Sequence, residues 1–73
     1  MKQNEFLKKL EKIFEKNKLT KNSSLSNLNF DSLKILEILS FADNEFTDIK
    51  IDANKLTKCK SINDLIKIFK IKD

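Results

Sequence analysis

Residues 29–39 read NFDSLKILEIL, from Asn29 through Asp31, Ser32 and Leu33 to Leu39. A short polar pair stands directly in front of a strongly apolar run. Asp31 and Ser32 admit two readings. Either they start a helix and do nothing more, or Ser32 is an exposed hydroxyl held out for something to be attached. The first is well supported: Asp is a strong N-cap, Ser is tolerated in the first turn, and the apolar run starts at once. It leaves unexplained why a hydroxyl sits where the first helical amides lack partners and the macrodipole presents positive potential. A phosphate ester on Ser32 would lie at a site that favours anions. A loop–helix junction is also where another enzyme's active site can reach.

The run after Ser32 predicts a helix over residues 32–46, with Ile35, Ile38, Leu39, Ala42 and Phe46 on one side. Lys34, Glu37, Ser40 and Asn44 are expected on the other side, with Leu33, Leu36 and Phe41 flanking. Upstream, residues 5–16 (EFLKKLEKIFEK) place Phe6, Leu7, Leu10, Ile13 and Phe14 in one stripe at helical period, opposite Lys and Glu. Residues 17–30 lose that period and gain Asn and Ser, which predicts a long loop pinned to the core by Leu19, Leu25, Leu28 and Phe30. Residues 47–60 are irregular, with one short helical turn in DANKL from Asp52. SIND at 61–64 reads as a capping box, Ser61 as N-cap and Asp64 three residues on, opening a last helix with Ile62, Leu65, Ile66 and Phe69 inward. The expectation is a single all-α domain over residues 1–73, a small four-helix bundle of three long elements and one short.

Composition bounds the chemistry. Seventy-three residues lie near the lower limit for an unaided core, too few to enclose a deep pocket as well. The chain has no His, so neither a Ser-His-Asp nor a Cys-His pair can form, and zinc sites of the Cys/His kind are excluded. It has no Gly, hence no P-loop and no dinucleotide fingerprint. Cys59 stands alone and reads as a bland, partly buried thiol. No catalytic residue, no metal site and no enzymatic activity of the chain's own are expected. The absence of a long apolar run or a signal-like segment predicts a soluble cytoplasmic protein without membrane contact.

The net charge is +4, and its distribution is uneven. Residues 1–21 carry seven Lys against three acids, and residues 49–73 carry the same counts. Between them, Lys34 faces Asp31, Glu37, Asp43, Glu45 and Asp48, so a positive chain has a negative middle.

Leu28-Asn29-Phe30-Asp31-Ser32-Leu33, at the head of that acidic, apolar helix, resembles the signature of the acyl carrier proteins and their relatives, the peptidyl and D-alanyl carriers. The likeness extends to Glu37, to NEF at 44–46 ending the helix, and to KCKSINDLIKIF at 58–69, so it covers nearly the whole chain. It implies a four-helix bundle whose Ser32 carries 4′-phosphopantetheine, the arm on which acyl or aminoacyl intermediates ride as thioesters in fatty-acid or secondary-metabolite biosynthesis. It also implies a phosphopantetheinyl transferase and acyl- or aminoacyl-loading ligase or synthase enzymes as partners, with Asp31 helping to hold the transferase's Mg²⁺. The docking face would be Asp31, Leu33, Lys34, Glu37 and Ser40, on a monomer.

The chain departs from the family pattern at three points. Asn29 replaces the usual Gly, and Asn is the other residue that tolerates a left-handed backbone. Lys34 stands where many fatty-acid carriers have an acid, and the total charge is positive. The last two features suggest a specialised carrier, with Lys34 as a discriminator between partners. Two other readings stand beside this one. An unmodified helical adaptor would share the same Ser32. A small basic nucleic-acid-binding domain fits the pI near 9.3, but it would lack Arg, Trp and Tyr for base readout or stacking.

Overall fold

The first helix, α1, spans Gln3–Phe14 and ends where Glu15 turns left-handed at φ 56° and ψ 44°. Glu15 and Lys16 return their amides to Lys12 and Glu11, a Schellman closure in a chain that has no glycine for the role. The helix therefore runs from two residues before the expected 5–16 segment to two residues before its end. Its stripe buries Phe6, Leu10 and Phe14, and half-buries Leu7 and Ile13. This computed structural model describes residues 1–72; Asp73, the last residue of the expected domain, lies outside them.

The long connection is tied down rather than loose. The Leu19 amide donates to Glu11 Oε2 at 2.9 Å, and Leu19, Leu25 and Leu28 are buried. A 3₁₀ turn over Leu25–Leu28 adds order that the polar sequence did not announce. Beside it, the Leu25 amide donates to the Lys60 carbonyl at 2.9 Å and Ile62 to Ser23 at 2.9 Å. The loop is thereby fixed to the start of the last helix.

The second helix, α2, spans Ser32–Glu45. It runs antiparallel to α1: its start meets the end of α1 through Phe30 and Phe14 (ring centroids 6.2 Å apart), and its end meets Phe6. A short α3 over Ala53–Thr57 is capped by Asp52, which accepts from the Lys55 amide at 2.9 Å, as the DANKL turn predicts. The last helix, α4, spans Ile62–Ile68. The Asp64 carboxylate accepts from the Lys60 and Ser61 amides at 2.8 and 3.3 Å, the acidic half of the expected capping box. Left-handed Lys70, with Ile71 returning its amide to Ile66 at 3.0 Å, closes α4 after seven residues. The architecture is the expected all-α four-helix bundle, with α4 shorter than α1 and α2.

Four phenylalanines lock the end of the bundle remote from Ser32. Phe6, Phe41, Phe46 and Phe69 come from α1, α2, the end of α2 and the end of α4, and every pair has ring centroids 5.0–6.4 Å apart. Tilted and edge-on pairs at this spacing contribute beyond simple burial, about 0.5–1.5 kcal/mol each. Phe6 and Phe69 are almost fully buried, while Phe41 and Phe46 are half-buried at the rim. On α2, Ile38 and Ala42 are buried and Ile35 and Leu39 half-buried, as the apolar stripe requires.

The outer side of α2 differs from expectation. Leu33 and Leu36 are 60% and 63% exposed, so they form the outer face instead of flanking it. Lys34, expected there with Glu37, Ser40 and Asn44, turns into the seam with α1, its side chain only 17% exposed. At 3.6 residues per turn, position 34 falls on the Phe41 side of the helix, and that side faces α1.

Candidate functional site

The site is built by the last turn of the loop. Asn29 sits in the left-handed region at φ 53° and ψ 51°, a conformation that costs most residues about 1–2 kcal/mol and that Asn tolerates. The substitution of Asn for the usual Gly therefore leaves the turn intact. The Asp31 amide then donates to the Asn29 carbonyl at 2.9 Å, which reverses the chain sharply. Asp31 itself is extended (φ −108°, ψ −174°), and its Oδ1 accepts from the Lys34 amide at 3.1 Å while its carbonyl accepts from Ile35 at 3.0 Å. Half-buried Phe30, packed on Phe14, anchors the turn to α1.

Ser32 is thus the first residue of α2, and it is exposed. Among the described residues its hydroxyl makes no hydrogen bond, which leaves it open to an incoming reagent. With the Lys34 and Ile35 amides taken by Asp31, those of Ser32 and Leu33 are the first-turn donors left without an intrahelical acceptor. They lie at the positive end of a 14-residue helix. An oxygen-linked phosphate attached here meets free donors and favourable potential, and no side chain covers the hydroxyl. The residues present fit such a group.

The remaining serines differ in setting. Ser23 accepts from the Thr20 amide at 3.0 Å, Ser24 and Ser26 pair with each other at 2.8 Å, and Ser61 is half-buried at the start of α4. Ser40 is exposed but lies in the interior of α2, where the backbone amides are already used.

Around Ser32 the exposed side of α2 carries Leu33, Leu36, Glu37 and Ser40, with Asp31 at its head. Lys34 is elsewhere: its Nζ donates to the Ile13 carbonyl at 2.8 Å and to Glu37 Oε2 at 3.4 Å. The ammonium reaches the last turn of α1, where unpaired carbonyls carry the negative end of the dipole, and so clasps the two helices together. Leu36, expected only to flank the apolar face, belongs with Leu33 on the exposed side. Its three-residue spacing from Leu33 puts both on one face, away from Ile38 and Ala42.

Among the described residues no group of three or more His, Cys, Asp or Glu could hold a metal ion. Cys59 is buried, donates to the Lys55 carbonyl at 3.4 Å, and its pKa is pushed up by burial and then by Asp64, so it stays a thiol as expected. Among the described residues no helix is long and apolar enough to cross a membrane.

Comparison with known families places this geometry. The chain matches the family described as phosphopantetheine attachment site over residues 4–69, a span that holds α1 from its second residue, the other three helices, all six serines and the Asp31-Ser32-Leu33 turn. No curated protein and no solved structure matches it. Domains of this family carry covalently attached 4′-phosphopantetheine, are in general non-catalytic, and work with phosphopantetheinyl transferases and synthetic enzymes. A hydroxyl set free at a helix N-terminus, in a four-helix chain matched from α1 to α4, is what such a domain requires, and the protein belongs to the phosphopantetheine-attachment family of acyl-carrier-like proteins.

Proposed function

We propose that Ser32 is the attachment point and that the protein is a specialised carrier of acyl or aminoacyl intermediates. The observation that carries the assignment is the exposed hydroxyl of Ser32, without a hydrogen-bond partner among the described residues, at the first position of α2. When bound, the group supplies a flexible arm whose terminal thiol holds the cargo as a thioester and raises its effective concentration at each partner. The chain's own part is to present and orient. Asp31 fixes the backbone of the first turn through Lys34 and Ile35, so the Ser32 hydroxyl points from a rigid helix end rather than a mobile loop. Its carboxylate, exposed beside the hydroxyl, is placed to help hold a transferase's Mg²⁺.

Docking is proposed for the exposed side of α2, with Leu33 and Leu36 as the apolar centre and Asp31, Glu37 and Ser40 around them. Withdrawal of Lys34 into the seam leaves that face more acidic than the sequence suggests. Lys34 therefore acts through Glu37, whose charge it tempers at 3.4 Å, and not as a free discriminator. A partner presenting a basic, apolar-centred patch fits this face, and its charges govern mainly the rate of encounter. The total charge of +4 is what supports a specialised carrier over a main fatty-acid one, and the reading has it acting as a cytoplasmic monomer.

The test is incubation with coenzyme A, Mg²⁺ and a promiscuous phosphopantetheinyl transferase, followed by intact-mass measurement. One arm's mass should be gained, at a rate that falls for Glu37→Lys and loses its salt dependence. A chain that never gains the mass is an unmodified adaptor. A rate indifferent to Glu37→Lys moves the docking face elsewhere.

A further inference from the structure

The basic residues of this protein are not equivalent, and the difference marks a second surface. On α1 and at its end the lysines interleave with Glu5, Glu11 and Glu15. Beside α3 and α4 they do not. Lys55, Lys58, Lys67 and Lys70 line an open groove of about 510 Å³ whose floor is Ile68 and Cys59. All four are exposed, and among the described residues none forms an ion pair. The single acid in the wall, Asp64, aims its carboxylate at the Lys60 and Ser61 amides and is committed to holding the start of α4.

We propose that this groove is a docking surface for an acidic, amphipathic segment of a partner protein, with carboxylates straddling one apolar side chain seated over Ile68. Charge complementarity selects the class of partner: four ammonium groups, in no ion pair among the described residues, around an apolar floor match carboxylates around an apolar anchor. A nucleic acid fits less well. No Arg and no aromatic ring lines the groove for base readout or stacking, and the Asp64 carboxylate opposes a continuous run of phosphates. A second copy also fits less well. The chain's own acidic stretch, residues 43–52, keeps Ile49 half-buried and Phe46 half-buried against Phe6 and Phe69, which leaves less apolar surface to seat over Ile68. None of the groove's lining residues lies on α2, so the protein offers an acidic face that presents Ser32 and a basic groove that grips a different partner element.

The experiment uses the full, unmodified chain, so its outcome is independent of whether Ser32 carries an arm. The probe is a synthetic peptide of Glu and Asp around one Leu, titrated while backbone amide shifts are followed by NMR. Controls are a Leu→Ala version of the peptide and a single-stranded DNA of equal charge. The expected result is shifts centred on Lys55, Lys58, Ile68 and Lys70, weaker binding of the Leu→Ala peptide, and a loss of about tenfold or more in Lys58→Glu/Lys67→Glu. Both substituted residues are exposed, and an unchanged helical circular dichroism spectrum verifies the fold. Equal shifts at Lys8 and Lys12 of α1, or undiminished binding by the double variant, would overturn the proposal. So would tighter binding of the DNA, or concentration-dependent shifts without peptide that link the groove to residues 43–52.

Discussion

Replacing Lys34 by glutamate separates a structural clasp from a surface charge. If Lys34 were a free charge on the docking face, the change would leave stability alone and make the face more acidic. The structure predicts the opposite. The Nζ hydrogen bond to the Ile13 carbonyl at 2.8 Å is charge-assisted and partly buried. Such a bond contributes about 1.5–3 kcal/mol before the cost of ordering a lysine side chain, which takes up to about 2 kcal/mol. The pairing with Glu37, at helical i,i+3 spacing, adds about 0.2–0.5 kcal/mol. Lys34→Ala should therefore cost about 1 kcal/mol. Lys34→Glu adds repulsion from Glu37 and from the negative end of α1, about 0.3–1 kcal/mol for the dipole alone, and should cost about 2–3 kcal/mol. Total stability on the usual per-residue scale is only about 4–10 kcal/mol, so the loss is visible. In thermal unfolding followed by circular dichroism the midpoint should fall by about 4–8 °C per kcal/mol. Lys34→Met, which keeps the apolar stem, should lose less than Lys34→Ala. A Lys34→Glu midpoint equal to that of the wild type would refute the clasp and return Lys34 to the surface.

The aromatic cluster yields a graded prediction. Phe69→Ala should cost about 3–5 kcal/mol, and half-buried Phe46→Ala distinctly less, in urea unfolding at constant slope; equal losses would show that Phe46 is as deeply packed as Phe69. Asp64 predicts a pH effect. The Lys60 amide, the largest influence, holds its carboxyl below the ordinary range; desolvation, next in size, opposes it, and the Ser61 amide and the Lys67 and Lys60 charges add to the lowering. A depressed carboxyl stabilises the fold above its unfolded value of about 3.9, and that contribution is lost as pH falls through the folded value. Asp64→Asn should thus be less stable than the wild type at neutral pH, with the gap closing in acid; a gap that widens in acid would reverse the sign.

The sequence carried the helices where the apolar period was clean, and less where ends depended on tertiary contacts. Phe6, Leu10 and Phe14 announced the buried stripe of α1, but its end was set by Glu15 turning left-handed, which no Gly marked. The site was legible because Asp31 and Ser32 are local chemistry: a cap and a hydroxyl in consecutive positions. The orientation of Lys34 was not, since a lysine before an apolar run looks like a solvated charge until the carbonyl of Ile13 is placed beside it. Counting turns from Ile38 puts Leu36 outward and Lys34 toward α1, so part of that signal lay in the sequence. The 3₁₀ turn at Leu25–Leu28 was hidden in a stretch that is polar between its leucines, because its order comes from Lys60 and Ile62 across the fold.

The central claim is that one hydroxyl, Ser32, accepts the arm. The most direct measurement is tandem mass spectrometry of the transferase-treated chain, mapping the added phosphopantetheine to a peptide, alongside Ser32→Ala treated in the same way. The arm should be found only on the peptide containing Ser32. Ser32→Ala should gain no mass while keeping the helical circular dichroism of the wild type. An arm mapped to Ser23, Ser24, Ser26, Ser40 or Ser61, or a folded Ser32→Ala chain that still gains the mass, would contradict the account.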